Sequence, residues 1–437
     1  MDRFRTASLT DSRILRLLEA SIQAADPGVL VSRALAHLEL PRHDRTYLLG
    51  LGKAAEAMTL AAAECLPGFS AALVVTKHAS VQTSDRIRQA QPPDGAMNAS
   101  SRVRILEAGH PIPDDRSVAA GRAALDFVSR INADDLLLCL ISGGGSALVT
   151  VPVRGLGLLE LRELTGTLLA SGATIDEINV LRRQLDRVKG GGLAATTPAA
   201  IVSLILSDVP GDRLESIASG PTTANPTTSE DADEILRRYA IIPAPAIRRA
   251  LDLQAPTIRA VFRGRVQNHI IGNFQLAVSA AARQAEIEGI HAELVGSSLR
   301  GEARQVGVEL ADRVSELLMA SPRPRCLIGG GETTVMLRGS GRGGRNQELA
   351  LAAVNELAGF ENVLLVSMAT DGDDGPTDAA GAVATGETRA RAERLGMSAD
   401  EFLQDNDAYT YFDALGDLLK PGPTGTNVND LVILVCL

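Results

Sequence analysis

Three glycine triplets, each beside a hydroxyl or a charged residue, mark where this sequence could hold and act on an anion. Gly143, Gly144 and Gly145 lie between Ser142 and Ser146, at the end of an apolar run of strand length that starts at Leu136. Glycine enters positive φ freely and brings no Cβ, so successive backbone N–H groups in such a loop form a nest for phosphate. An ordinary tight turn has the same composition, and one glycine-rich turn does not separate the two readings. The design recurs. Residues 326–328 run into Gly329, Gly330, Gly331, Glu332, Thr333 and Thr334, which makes 330–333 a second candidate cradle. The third triplet, Gly190 to Gly192 after Lys189, follows a helical segment, where a glycine helix cap is an equal reading.

Charged residues stand at similar junctions. Residues 47–51 end in Gly50-Leu51-Gly52-Lys53-Ala54-Ala55, a strand, a glycine turn and a lysine where a helix starts. A lysine there suits a phosphate or carboxylate, although lysine is also a common surface residue. Arg345, in Gly343-Gly344-Arg345-Asn346-Gln347-Glu348, offers the planar guanidinium fork at another helix start. Asp208, beyond the run 204–206, reads as a Mg²⁺ ligand or as a turn aspartate before Pro210-Gly211. The run 363–368 leads into Asp371, Asp373, Asp374 and Asp378, carboxylates that repel one another without a cation or donors, or sit solvated in a loop. Residues 422–430, with Asn427, form another glycine-rich polar loop before a strand. The sequence has no GxxxxGK[ST] loop, no complete GxGxxG, no GxSxG elbow and no HExxH pair.

These residues need a frame to position them. Short apolar runs alternate with amphipathic segments, the pattern of an α/β protein with a mainly parallel sheet. Strands are expected at 47–51, 72–76, 103–107, 136–141 and 200–206, with helices at 53–65, 117–131, 156–171 and 174–188. Residues 82–101 read as a surface loop. A Pro- and Thr-rich break at 219–228 separates this half from a second alternation: strands at 269–272, 293–296, 325–328, 363–368 and 431–437, helices at 274–289, 302–320 and 347–358. Two domains are therefore expected, 1–234 and 235–437.

Composition narrows the class. The chain has 437 residues, no tryptophan, 4 tyrosines, 8 phenylalanines and a net charge of −10. Few rings and an acidic excess argue against a nucleic-acid partner. The four cysteines, Cys65, Cys139, Cys326 and Cys436, are scattered without a CxxC, so they suggest neither zinc nor a redox pair but a reducing compartment. No signal core and no run of about 18 apolar residues occurs, so a cytoplasmic location without membrane attachment is expected.

Longer blocks carry a family resemblance. LGLGKAAEAM at 49–58, EAGHPIPDDRS at 107–117, ISGGGSAL at 141–148 and SGATIDEINVLRRQLDRVKGGGLA at 171–194 resemble the class II glycerate kinases. So do LSDVPGDRLESIASGPT at 206–222, GGGETTV at 329–335, GRGGRNQELAL at 341–351, ATDGDDGPTDAAGA at 369–382 and GPTGTNVNDL at 422–431. Some members of that family are labelled hydroxypyruvate reductases. The resemblance implies a Rossmann-like first domain and a smaller α/β second domain containing a MOFRL region, about 322–437, with the active site in the cleft between them. It implies transfer of the γ-phosphoryl group of ATP, with Mg²⁺, to D-glycerate at its 2-hydroxyl, with an NAD(P)H-dependent hydroxypyruvate reductase as the alternative. It places the family's active-site lysine on Lys53 and its arginine on Arg345. The nucleotide contacts are expected at Ser142, Gly143, Gly144, Gly145, Ser146, Lys189, Gly190, Gly330, Gly331, Glu332, Thr333, Asp371 and Asn427. Asp208 and Asp371 are the metal candidates, and the oligomeric state is left open, a homodimer being one option.

Overall fold

The structure, a computed structural model, describes residues 2–89, 103–253, 264–295 and 299–437. Its chain divides into two compact units, Pro27–Gly272 and Asn273–Leu437 with the residues up to Asp26. Among the described residues no helix is long and apolar enough to cross a membrane.

The first unit is built on six parallel strands: β1 (Thr46–Leu51), β2 (Ala71–Thr76), β3 (Val103–Glu107), β4 (Leu136–Ile141), β5 (Ala200–Leu206) and β6 (Val266–Gly272). Their order is β3-β2-β1-β4-β5-β6. β4 is buried along its whole length, as an unbroken apolar run must be when both sheet faces are covered. Leu49, Leu51, Leu137, Cys139 and Ile141 pack on one face with Ala120, Ala124 and Val128 of helix Asp115–Ser129. All six carboxyl ends leave from one edge. The chain goes from β1 outward to β3 and then returns to β4, so the order reverses between β1 and β4, the place where such sheets hold ligands. The Rossmann-like expectation for this half holds.

The sheet also moves the expected boundary. β6 hydrogen-bonds to β5, so the Pro- and Thr-rich stretch near 219–228 is a loop within the first unit, not a connection at 234/235. Of the expected surface loop at 82–101, residues 82–89 are instead helix, all but the first residue of Val81–Gln89, and the rest lies outside the described residues.

The second unit departs from a mainly parallel sheet. Its strands are β7 (His291–Leu294), β8 (Leu299–Glu302), β9 (Arg325–Thr334), β10 (Val363–Ala369), β11 (Gly381–Thr385), β12 (Leu418–Leu419) and β13 (Asp430–Cys436). They run in the order β12-β11-β10-β13-β9-β7, with β8 also on β9. Only β7 and β8 pair with β9 in parallel; the other ladders are antiparallel. The reason is local. Residues 370–380 turn straight back from β10 into β11, and a direct return needs no helical crossover. Helix Ser12–Ala24 belongs here: Ile14, Leu15, Leu18 and Ile22 join Val278, Ala281 and Ala285 of helix Phe274–Ile287 in one cluster.

Two glycine triplets are part of this framework. Gly329, Gly330 and Gly331 do not end a strand but continue β9, paired with Val432, Leu431 and Asp430 of β13. A Cβ on Gly330 would collide with the Asp430 carbonyl, and one on Gly331 with the Leu299 carbonyl. These glycines admit neighbouring backbones, and the second cradle expected at 330–333 is corrected to a sheet interior.

Lys189 is likewise internal, 4% exposed. Its ammonium donates to Asp186 Oδ2, to Thr150 Oγ1 at 3.0 Å and to the Val149 carbonyl at 3.3 Å, which fills its three donors. The Gly190 and Gly191 N–H groups donate to the Ser219 and Gly220 carbonyls at 2.9 and 2.7 Å. Lys189 and Gly190, expected at the nucleotide, are committed to the fold. Replacing Lys189 by Met would strand Asp186 as a buried unpaired charge, and the expected loss is about 3–5 kcal/mol in urea unfolding. An unchanged midpoint would contradict the ion pair's structural role.

Candidate active site

At the switch point the turn after β1 and the loop after β4 are laced together. The Ser142 N–H donates to the Leu51 carbonyl at 2.9 Å, and the Lys53 N–H to the Gly143 carbonyl at 2.9 Å. The buried Ser142 hydroxyl accepts the Ala54 N–H at 3.0 Å. Gly52, at φ +124°, has the Ser142 hydroxyl and carbonyl where a Cβ would sit, so only glycine fits. Lys53 is thereby fixed one residue before Ala54, ahead of helix Ala55–Cys65.

The loop itself is a cradle. Gly144 adopts φ +82°, and among the described residues the backbone N–H groups of Gly143, Gly144, Gly145 and Ser146 are paired with no protein acceptor. Four consecutive donors left open are costly unless a ligand or water takes them, and an anion satisfies them best. The loop is braced from below. The Ser146 hydroxyl is 2.8 Å from that of Ser219, and a Cβ on Gly145 would lie 2.8 Å from the Ala218 Cβ. Ala218, Ser219 and Gly220 are all left-handed, at φ +50°, +58° and +66°. Two non-glycine residues in that region mark local strain of the kind held at working sites. Asp208 stands beyond β5, partly exposed.

In the second unit the residues expected at the site gather where β9 and β10 end and β13 begins. Arg345 opens helix Arg345–Leu357, and its Nε and Nη2 donate to the two oxygens of Asp430 at 2.6 and 2.9 Å. Nη1 donates to Glu332 at 3.1 Å. Burial works against the arginine's charge, and Asp430 and Glu332 more than offset it, holding the guanidinium above its ordinary range. Asp430 is 4% exposed, and burial pushes its carboxyl up while Arg345 pulls it down. Glu332 therefore serves through its side chain, not through a cradle N–H; Thr333 beside it is buried.

The four aspartates after β10 have separate fates. Asp374 is buried and accepts the backbone N–H groups of Asn346 and Gln347 at 3.2 and 3.0 Å and both their side-chain amides, capping Arg345's helix. Asp378 accepts the Tyr409 hydroxyl at 2.6 Å. Asp373 is exposed. Asp371 takes the Asp373 N–H at 3.1 Å and stays partly exposed. Asn427 is 9% exposed, and its side-chain amide has no protein partner among the described residues. Asp208 and Asp371 lie in different units, and no group of three His, Cys, Asp or Glu among the described residues could by itself hold a metal ion. Mg²⁺ commonly takes one or two carboxylates and completes its shell with phosphate and water, so single aspartates fit that role.

Sequence reasoning missed Asp430 and Asp374 as the residues that hold Arg345 in place. The one available signal was Asp430 as the last polar residue before a strand. Burial pushes Asp374 up to about 6, with the Asp430 charge adding to it. The folded chain then keeps a proton that the unfolded chain, at 3.8, has lost. Stability should therefore fall as pH rises from about 4 to about 6 and level off above. Relative to Asp374→Asn, the wild-type urea midpoint should drop across that window; a constant difference would refute the shift.

The chain can now be set beside known proteins. Residues 13–252 match a family described as a domain of unknown function (DUF4147), and residues 325–430 match the MOFRL family. The chain is 41% identical over 424 residues to a D-glycerate 2-kinase of Thermotoga maritima, covering 96% of each. It is 38% identical over 425 residues to a putative hydroxypyruvate reductase of Agrobacterium vitis, covering 95% of this chain and 92% of that one. A crystal structure of glycerate kinase from Thermotoga maritima matches with a TM-score of 0.83 at 40% identity, over 97% of this chain and 99% of that one. With the order of blocks, the parallel first sheet and the second sheet all in agreement, the chain belongs to the glycerate kinase family that joins a DUF4147 domain to a MOFRL domain.

Proposed function

We propose that this chain transfers the γ-phosphoryl group of ATP to the 2-hydroxyl of D-glycerate, giving 2-phosphoglycerate and ADP. The observation that carries this reading is the open N–H cradle of residues 143–146 beside Lys53, in a chain of the glycerate kinase family. Phosphoryl transfer asks little covalent chemistry of the protein. It asks for alignment and for fixed positive charge where negative charge moves. The glycerate hydroxyl oxygen bonds to the γ-phosphorus as the bond to the β–γ bridging oxygen breaks. ADP leaves, and the hydroxyl proton is lost late.

The cradle donors and Lys53 hold phosphate oxygens. Arg345, held in a fixed plane by two N–H bonds to Asp430 and one to Glu332, offers an anion the remaining N–H groups of its guanidinium. Asn427, buried and with no protein partner for its side-chain amide among the described residues, supplies a further polar contact to the nucleotide. Asp208 and Asp371, each as a single carboxylate of its own unit, are the candidates to hold Mg²⁺, which when bound neutralises phosphate charge.

Hydroxypyruvate reduction has in its favour only the name of a relative. The turn at Gly50-Leu51-Gly52-Lys53-Ala54-Ala55 lacks the last glycine of the dinucleotide fingerprint, and β2 ends at Thr76, followed by Lys77, without an acid for a ribose. Loss of NADH absorbance on mixing pure protein with hydroxypyruvate would support it over the kinase.

Lys53→Ala and Arg345→Ala should each lower kcat at least about 100-fold in a coupled ADP-release assay with D-glycerate, the scale of removing one preorganised charge stabiliser. Near-normal turnover in either folded variant would remove that residue from the site. Phosphorus NMR of the product should show coupling to the single proton on C2; coupling to two C3 protons would overturn the regiochemistry.

A further inference from the structure

The loop after β3 has no part in the mechanism above, yet it reaches the cradle. β3 is the edge strand, and β2 lies between it and β1. A residue just beyond β3 can touch the loop after β4 only if its own loop bends back over the intervening strand ends. It does so at His110. A Cβ built on Gly144 would lie 3.1 Å from His110 Cδ2, 3.2 Å from His110 Nε2 and 3.2 Å from Lys53 Cγ.

This placement is held by the loop's own bonds. The Ala108 N–H donates to the Thr76 carbonyl at 3.1 Å, and the Gly109 N–H to Asp114 Oδ1 at 3.2 Å. Asp114 also caps helix Asp115–Ser129 through the Ser117 N–H, so the turn is tied to a rigid element. At Gly109 a Cβ would meet Asp114 Cγ at 2.7 Å and the Ile112 carbonyl at 2.8 Å. The imidazole is thus presented on a tight, braced turn.

Its chemistry follows from the edge that faces Gly144. An anion seated on the N–H groups of residues 143–146 offers only acceptors, so a ring nitrogen facing it contributes by donating a hydrogen bond. We propose that His110 is a further ligand of the phosphoryl group held in this cradle, donating from Nε2 beside Lys53. The inference rests on the cradle reading and deepens it: the anion is held by backbone donors, an ammonium and an imidazole.

The test uses the full chain, with sulfate as the probe anion by calorimetry and with ATP and D-glycerate turnover alongside. His110→Ala should weaken sulfate binding about tenfold and lower kcat by a similar factor, the scale of one hydrogen bond to a charged group. His110→Gln keeps an N–H donor but takes no proton at neutral pH, and should keep both properties within about threefold of wild type. Wild-type sulfate affinity and turnover in His110→Ala would overturn the inference. So would a His110→Gln variant that binds sulfate normally but has lost turnover, since the imidazole would then be acting as a proton acceptor. Failure of the wild-type chain to bind sulfate while it still phosphorylates glycerate would remove the cradle and this inference together, and leave the kinase assignment standing.

Discussion

Ser142 occupies the space where any side chain on residue 52 would have to be, and the placement of Lys53 beside the loop after β4 depends on that contact. Because position 52 is glycine, the turn after β1 can lie against the loop after β4. Three hydrogen bonds then lock the two together: Ser142 to Leu51, Lys53 to Gly143 and Ala54 to Ser142. Lys53 and the open N–H groups are therefore set relative to each other before any ligand arrives. Groups fixed in advance need not reorganise when charge shifts, which is where most of their effect on a transition state comes from. The strained run of Ala218, Ser219 and Gly220 supports the same loop from the other side.

The second unit meets a different problem, an arginine that must keep one orientation among carboxylates. Asp430 grips the inner edge of the guanidinium, and Asp374 closes the start of its helix. The glycines of β9 belong to this arrangement. Asp430 is paired with Gly331 and Ala369, and its backbone fits against Gly330 because no side chain stands there. A triplet that resembles a phosphate loop is the clearance that lets the first residue of β13 take its place beside Arg345.

Much of the first unit was legible because buried parallel strands are continuous apolar runs. The strands expected at 103–107, 136–141 and 200–206 stand at those residues. The second sheet was harder, since short apolar runs do not reveal the direction in which they pair. The glycines of β9 hid the second half of a ten-residue strand, and a Pro- and Thr-rich loop imitated a domain boundary. Lys189 shows a further limit: a lysine beside glycines reads the same whether it faces a ligand or, three residues back, Asp186. Among four neighbouring aspartates, composition alone could not single out Asp374 as the buried helix cap. Lys53 and Arg345 were singled out through specific blocks of residues, not through periodicity.

The second unit takes the residues up to Asp26, helix Ser12–Ala24 among them, from before the first unit and the rest from after it. During synthesis that helix is made before the first unit, with Ile14, Leu15, Leu18 and Ile22 along one face, while the helix that covers them follows only after Gly272. β13, which sits between β10 and β9, is made after both of them. A nascent chain therefore carries a first core able to close beside an apolar helix still waiting for its partner. Such uncovered surface is what aggregation and folding helpers compete for. The interval between making that helix and covering it is set by how long the ribosome takes to build an entire domain.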